Sequence, residues 1–133
     1  MQFKTNKNDD LSYIMKDIKV DEFQTKIITI NEKVVATSSV DNFEASFGEN
    51  NISYKFEIDL GNKEIKDFEI ISIKFSYGDN DVIILPDDLE KYFGLSKFSL
   101  YNSESKVIKT RKVDNYHFPK LYARKQLWDE LKK

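Results

Sequence analysis

The chain has 133 residues, of which 40% are hydrophobic and 14% aromatic, and its net charge is −2. This length suits one domain with its own core, and the aromatic content argues against disorder. The absence of cysteine excludes disulfides, thiol catalysis, cysteine-ligated zinc and iron–sulfur clusters. The four glycines lie far apart, so neither a Walker loop nor a dinucleotide fingerprint is present.

The first ten residues are polar, and we expect neither a secretory signal nor a membrane span. We expect a cytoplasmic protein of a bacterium or phage. Residues 10–18 are predicted to form a short amphipathic helix that covers part of a sheet or docks on a partner. The apolar residues at helical spacing are Leu11, Ile14, Met15 and Ile18.

Two β-hairpins are predicted next. The first joins the β-branched runs 26–30 and 33–40 around Asn31-Glu32. The second is long, covers 51–77, and begins with a strand in which apolar and polar residues alternate without exception from Ser53 to Leu60. Gly61-Asn62 then has the composition of a two-residue hairpin loop.

The register of the long hairpin predicts two irregularities. Pairing through Gly61-Asn62 places Phe56 opposite Asp67, and one extra residue near Lys66–Asp67 corrects this, so we expect a β-bulge there. The apolar residues also change face at Ile70–Ile71, which predicts a second bulge or a bend from one packed surface to another.

The second half reads as strand, helix, strand, strand and helix. Val82–Leu85 is a predicted strand, Pro86 suits the first position of a helix, and Gly94 suits the position after its end. Two strands are predicted at 97–101 and 106–112. A last helix is predicted to open at Pro119 and to run to about Leu131.

Residues 82–112 resemble the strand–helix–hairpin of AbrB/MazE-type swapped-hairpin domains, because Ile-Leu-Pro precedes the short helix and Gly-Leu follows it. They also look like a piece of a B3-like barrel. The first resemblance implies intertwined dimers and DNA binding. However, Asp87, Asp88 and Glu90 stand where DNA-binding members carry basic residues, and we assign no family from this segment.

Together these elements predict one β-rich α+β domain spanning residues 1–133. We expect an antiparallel, bent or barrel-like sheet with two or three short helices packed on it. A basic segment, residues 106–133, closes the chain and ends in a helix.

Catalytic signatures are sparse. His117 is the single histidine, and we interpret it as a hydrogen-bonded residue beside a proline turn. Asp59 with Ser72 and Lys74 faintly resembles a PD-(D/E)xK nuclease core, but Ser72 stands where that core needs its second acid. A metal-dependent nuclease is therefore the remote alternative, and we expect neither a metal nor a cofactor.

Charge is unevenly distributed along the chain. Residues 1–105 carry 12 basic and 20 acidic side chains, whereas residues 106–133 carry 9 basic and 3 acidic ones. Basic and aromatic side chains together can contact phosphates and stack on bases. The candidate nucleic-acid or acidic-partner residues are Lys106, Lys109, Arg111, Lys112, Tyr116, Lys120, Arg124 and Lys125.

An acidic cluster surrounds the turn and helix start near Pro86. Its members are Asp79, Asp81, Asp87, Asp88 and Glu90. We expect a non-catalytic protein-binding module, such as a small inhibitor, immunity or anti-defence protein, in which this cluster faces another protein. Nucleic-acid binding through the basic segment is the alternative, and the sequence leaves the oligomeric state open.

Overall fold

The computed structural model describes all residues from Met1 to Lys133 and contains eleven strands and two short helices. The strands are β1 (Gln2–Thr5), β2 (Asp9–Lys19), β3 (Thr25–Val34), β4 (Asp41–Asn42), β5 (Lys55–Asp59), β6 (Asp67–Tyr77), β7 (Asn80–Ile84), β8 (Phe93–Leu95), β9 (Ser99–Asn102), β10 (Val107–Thr110) and β11 (Lys120–Ala123). A 3-10 turn at Pro86–Asp88 leads into helix α1 (Leu89–Tyr92), and helix α2 spans Lys125–Leu131. Neither helix has the length and apolar character needed to cross a membrane.

The strands form two antiparallel sheets that share one core. Sheet A has the order β4-β1-β6-β10-β9, with β7 pairing with the second half of β6, and sheet B has the order β3-β2-β5-β11-β8. Side chains with no solvent exposure include Phe3 and Phe68 of sheet A and Ile58 and Leu121 of sheet B. The prediction of a single β-rich α+β domain with short helices is confirmed.

The chain repeatedly crosses between the sheets. The connections β1–β2, β5–β6, β8–β9 and β10–β11 each leave one sheet and enter the other. Strands that follow one another in sequence therefore often face each other across the core instead of pairing.

The long hairpin predicted over 51–77 is wrong for this reason. β5 and β6 both exist, but they lie in different sheets. Ile58 pairs with Tyr13 of β2 and Leu121 of β11, and β6 pairs with β1, β10 and β7. The β-bulge predicted near Lys66–Asp67 is consequently also wrong, since no β5–β6 ladder exists to carry it.

A buried ion pair organises the crossing between β5 and β6. Lys66 Nζ lies 2.5 Å from Asp9 Oδ2, and the two side chains are 1% and 3% exposed. Lys66 also donates to the carbonyl of Leu60, while the backbone N–H groups of Lys63 and Glu64 donate to Asp9 at 3.1 and 3.0 Å. The segment around Gly61-Asn62, which was predicted to be a hairpin turn, is therefore wrapped around the carboxylate of Asp9.

The predicted change of face within β6 is confirmed. Phe3 of β1 pairs with Ile70, and Gln2 pairs with Ser72. Ile71 is the extra residue of this bulge, so Phe68 and Ile70 are buried before it and Ile73 is buried after it.

Two predictions in the first third of the chain are wrong. Residues 10–18 lie in strand β2, where Leu11, Tyr13 and Met15 are buried on one face. Pairing with β3 on one side and β5 on the other outweighs the helical spacing. Residues 26–34 continue as the single strand β3, and Asn31-Glu32 lies within it instead of forming a turn.

The second half of the chain follows the predictions more closely. Gly78 and Asp79 form the turn between β6 and β7, and β9 pairs with β10 as expected. Gly94 does not end a helix, because it lies in β8 opposite Tyr122. The last helix starts later than predicted, since Lys120–Ala123 pairs with β5 and β8 before α2 begins.

Candidate functional site

A partly open cavity of about 670 Å³ is lined by residues of both sheets and of α2. Its walls are mainly apolar, and aromatic rings provide much of them. The lining aromatic side chains are Tyr13, Phe43, Phe47, Phe56, Phe75, Tyr77 and Trp128. Cavities of this size and character are typical of small-molecule sites in proteins.

The segment between β4 and β5 forms one wall of the cavity. Phe43 stacks on Tyr13 with ring centroids 3.9 Å apart and an interplanar angle of 6°. The Tyr13 hydroxyl donates to the Phe43 carbonyl at 2.7 Å, and Phe47 packs edge-on against Phe56. Two aromatic contacts thus fix a segment that has almost no regular secondary structure.

Burial raises the pKa of Tyr13, and the carboxylates of Glu32 and Glu44 raise it further. The hydroxyl therefore stays protonated at neutral pH and remains a donor to Phe43. The hydrogen bond between Tyr13 and Phe43 is therefore unaffected by pH changes near neutrality.

Trp128 is one of the residues that line the cavity, and it carries a buried polar atom without a partner. It lies on α2 and is 5% exposed, and its indole Nε1 has no hydrogen-bond acceptor in the chain. A buried donor without an acceptor costs about 1–3 kcal/mol. An acceptor on a bound molecule that reaches the indole edge would offset that cost.

Some members of the acidic cluster already have partners within the chain. Lys106 forms an ion pair with Asp87, and Asp81 accepts a hydrogen bond from Ser76 and lies 3.7 Å from Lys74. The remaining members, Asp79, Asp88 and Glu90, are exposed and form no ion pair. Whether this surface faces another protein stays a prediction.

The basic segment is divided between the two sheets. Lys106 is paired with Asp87, and Lys120 is half-buried with its Nζ 3.9 Å from Glu57. Arg111 donates to the Lys97 carbonyl at 2.9 Å. Exposed members without an ion pair are Lys109, Arg111, Lys112, Arg124 and Lys125, and Tyr116 is 62% exposed beside Phe118. Nucleic-acid binding by this segment stays a prediction.

The residues of the nuclease hypothesis are not brought together. Asp59 is on β5 of sheet B and accepts the Gly61 N–H at 2.9 Å, whereas Ser72 and Lys74 are on β6 of sheet A. Nowhere do three His, Asp or Glu side chains gather as metal ligands would.

The interpretation of His117 as a hydrogen-bonded residue is confirmed, since it is buried with Nδ1 3.3 Å from the Asn62 carbonyl oxygen.

One sheet edge differs from the others. β3 is ten residues long, and no backbone group of residues 25–34 bonds to anything except β2. The other edge strands, β4, β7, β8 and β9, have two to five residues. Phe23, just before β3, is 92% exposed, and Ile27 within it is 62% exposed. Long unpaired edges with exposed apolar side chains readily pair with another strand.

No family model, curated protein or solved structure matches this chain.

Sequence reasoning missed the cavity because its walls come from distant parts of the chain. Phe43 and Phe47 are two aromatic residues in an otherwise polar stretch. The available signal was a pair of aromatic side chains four positions apart in a region without a strand or helix pattern. Such a pair indicates that the segment packs against an apolar surface.

Proposed function

We propose that this chain is a binding protein that holds a small, largely apolar molecule with one hydrogen-bond acceptor. The observation that carries the proposal is the aromatic cavity of about 670 Å³, whose lining includes Trp128 with an unpartnered indole N–H. The walls supply apolar burial, and the indole supplies orientation. A cytoplasmic setting in a bacterium or phage belongs to this proposal as well.

The test uses Trp128 as its own reporter, because the chain contains a single tryptophan. Naphthalene and 2-acetylnaphthalene share a ring system and differ by one carbonyl acceptor. Titration of isotope-labelled protein with each is followed through the indole N–H signal by NMR. We expect saturable shifts and roughly fivefold tighter binding of the ketone, as one hydrogen bond of about 1 kcal/mol implies.

The matched variant is Trp128→Phe, which keeps an aromatic wall and removes the donor. With backbone amides as the readout, we expect the variant to bind both compounds with equal affinity. The absence of saturable shifts with either compound in the wild type would overturn the proposal. Equal affinities in the wild type would remove the role assigned to the indole.

Protein binding is the second candidate function, and the exposed edge of β3 favours it. An added strand would satisfy backbone groups along ten residues and cover Ile27. A peptide with the sequence of residues 24–35 serves as the probe, since it already has strand-forming composition. We expect the labelled peptide to bind with a rise in fluorescence anisotropy, and a scrambled peptide not to bind.

A further inference from the structure

We infer that β3 pairs antiparallel with β3 of a second copy of this chain, centred on Thr29, to form a symmetric dimer. The inference names the partner of the protein-binding candidate and rests on it, and it is independent of the cavity. Three features carry it: the open edge, the restriction that symmetry places on register, and the charges of the strand.

Symmetry restricts the possible registers. Two copies of one strand pair side by side and antiparallel only around a two-fold axis perpendicular to the sheet. Such an axis keeps each side chain on its own face of the sheet, so the axis passes midway between one residue and the same residue of the second copy, and these two residues face each other. Near the middle of β3 the choices are Ile28, Thr29 and Ile30.

The side chains distinguish these registers. Centring on Ile28 places Lys26 opposite Ile30, and centring on Ile30 places Ile28 opposite Glu32. Both leave a charge facing an isoleucine. Centring on Thr29 places Lys26 opposite Glu32 and Ile28 opposite Ile30, each twice, with the two threonines facing each other. Opposite charges, β-branched pairs and Thr–Thr pairs are the cross-strand combinations that stabilise sheets.

The two charged side chains of this register form no ion pair within the chain. Neither Lys26 nor Glu32 takes part in any of the eight ion pairs of the structure. Burial raises the pKa of Glu32 and the nearby Asp41 raises it further, and together they outweigh the amino group of Met1, which lowers it. An ammonium from Lys26 of the second copy would stabilise that carboxylate.

The apolar residues of the edge fit the same arrangement. Ile28 and Ile30 point toward the core face and are only partly buried, packed against the core cluster. Pairing across the axis would cover their remaining exposed surface. The two copies of sheet B, with five strands each, would then form one continuous sheet.

The experiment is charge exchange followed by sedimentation velocity. We expect a wild-type dimer at micromolar concentration. Lys26→Glu and Glu32→Lys should each weaken dimerisation at least tenfold, because like charges then face each other twice. The double variant should restore dimers, and so should an equimolar mixture of the two single variants, in which every pair is again opposite in sign.

The matched control is Lys33→Glu, which makes the same charge change on the same strand opposite the uncharged Thr25. We expect it to dimerise like the wild type, and circular dichroism checks that every variant is folded. Equal loss of dimer in Lys33→Glu, or a mixture of the two single variants that stays monomeric, would overturn the register.

A monomeric wild type that binds the 24–35 peptide would overturn the dimer and leave the strand-accepting edge in place. A wild type that neither dimerises nor binds the peptide would overturn both.

Discussion

At the scale of single residues, the fold depends most visibly on Asp9. Its carboxylate is buried, pairs with Lys66 and accepts backbone N–H groups from the segment that joins β5 to β6. Sequence patterns indicated a hairpin at this place because Gly61-Asn62 has hairpin composition. They did not reveal that a lysine seven residues after the end of β5 is buried against an aspartate 57 positions earlier.

The charge of Asp9 gives a prediction for acid stability. Burial alone would raise the pKa of Asp9, but the Lys66 ammonium and backbone N–H donors outweigh burial, and the pKa falls below its usual 3.8. The stabilisation is therefore fully present above pH 3.8 and is lost as the pH falls through the lowered pKa. Asp9→Asn should cost about 3–5 kcal/mol at pH 7, because the Lys66 charge is left unpaired.

Urea unfolding at pH 7 and in acid measures this effect. Asp10→Asn is the control, since Asp10 forms an exposed pair with Lys63 and should change the free energy of unfolding by less than about 1 kcal/mol. The gap between Asp9→Asn and the wild type should narrow in acid. Equal costs for the two variants at pH 7 would contradict the role assigned to the buried pair.

Gly61 provides a second prediction at this scale. Its φ is +92°, and a Cβ there would lie 2.4 Å from the Asp9 carboxylate. Gly78 has φ +59° and no atom within 4 Å of such a Cβ. Gly78→Ala should therefore lower the free energy of unfolding by about 1–2 kcal/mol, because alanine is strained in the left-handed conformation. Gly61→Ala should lower it by about 1–3 kcal/mol more, because the added methyl group overpacks the site. Thermal or urea unfolding gives both values, and equal values would contradict the crowding assigned to Gly61.

At the scale of strands, the sequence pattern predicts where strands lie but not which strands pair. The alternation from Ser53 to Leu60 correctly indicated a strand, and the change of face at Ile70–Ile71 correctly indicated a bulge. The partners of those strands could not be read from periodicity, because β5 pairs with β2 and β11, which lie far away in sequence. Residues 10–18 satisfied helical spacing and strand alternation at once, and pairing on both sides decided the outcome.

Cysteine pairs test this topology, and the cysteine-free chain gives a clean background. Lys16 and Lys55 are directly opposite in the β2–β5 ladder, within reach of a disulfide. Lys16→Cys with Lys55→Cys should therefore close on oxidation. Lys55→Cys with Glu69→Cys, the pair that a β5–β6 hairpin would align, should retain two free thiols in a thiol titration. Closure of the second pair alone would contradict the two-sheet arrangement.

At the scale of the whole molecule, composition predicted the fold class but not the arrangement of surfaces. The charge counts along the chain indicated an acidic body and a basic end. In the structure the two mix, because Lys106 pairs with Asp87 and Lys120 lies near Glu57. The cavity was equally hidden, since Tyr13, Phe75 and Trp128 meet only after both sheets and α2 are in place. Features assembled from distant residues need the tertiary structure to become visible.

The position of β11 has a consequence for synthesis of the protein. β11 lies between β5 and β8 in the interior of sheet B, although it is the last strand in the sequence. A nascent chain that ends before Lys120 leaves β5 and β8 unjoined, with their facing edges unpaired. Sheet B is therefore completed only when residues 120–123 have left the ribosome, and until then the growing chain presents open edges to its neighbours.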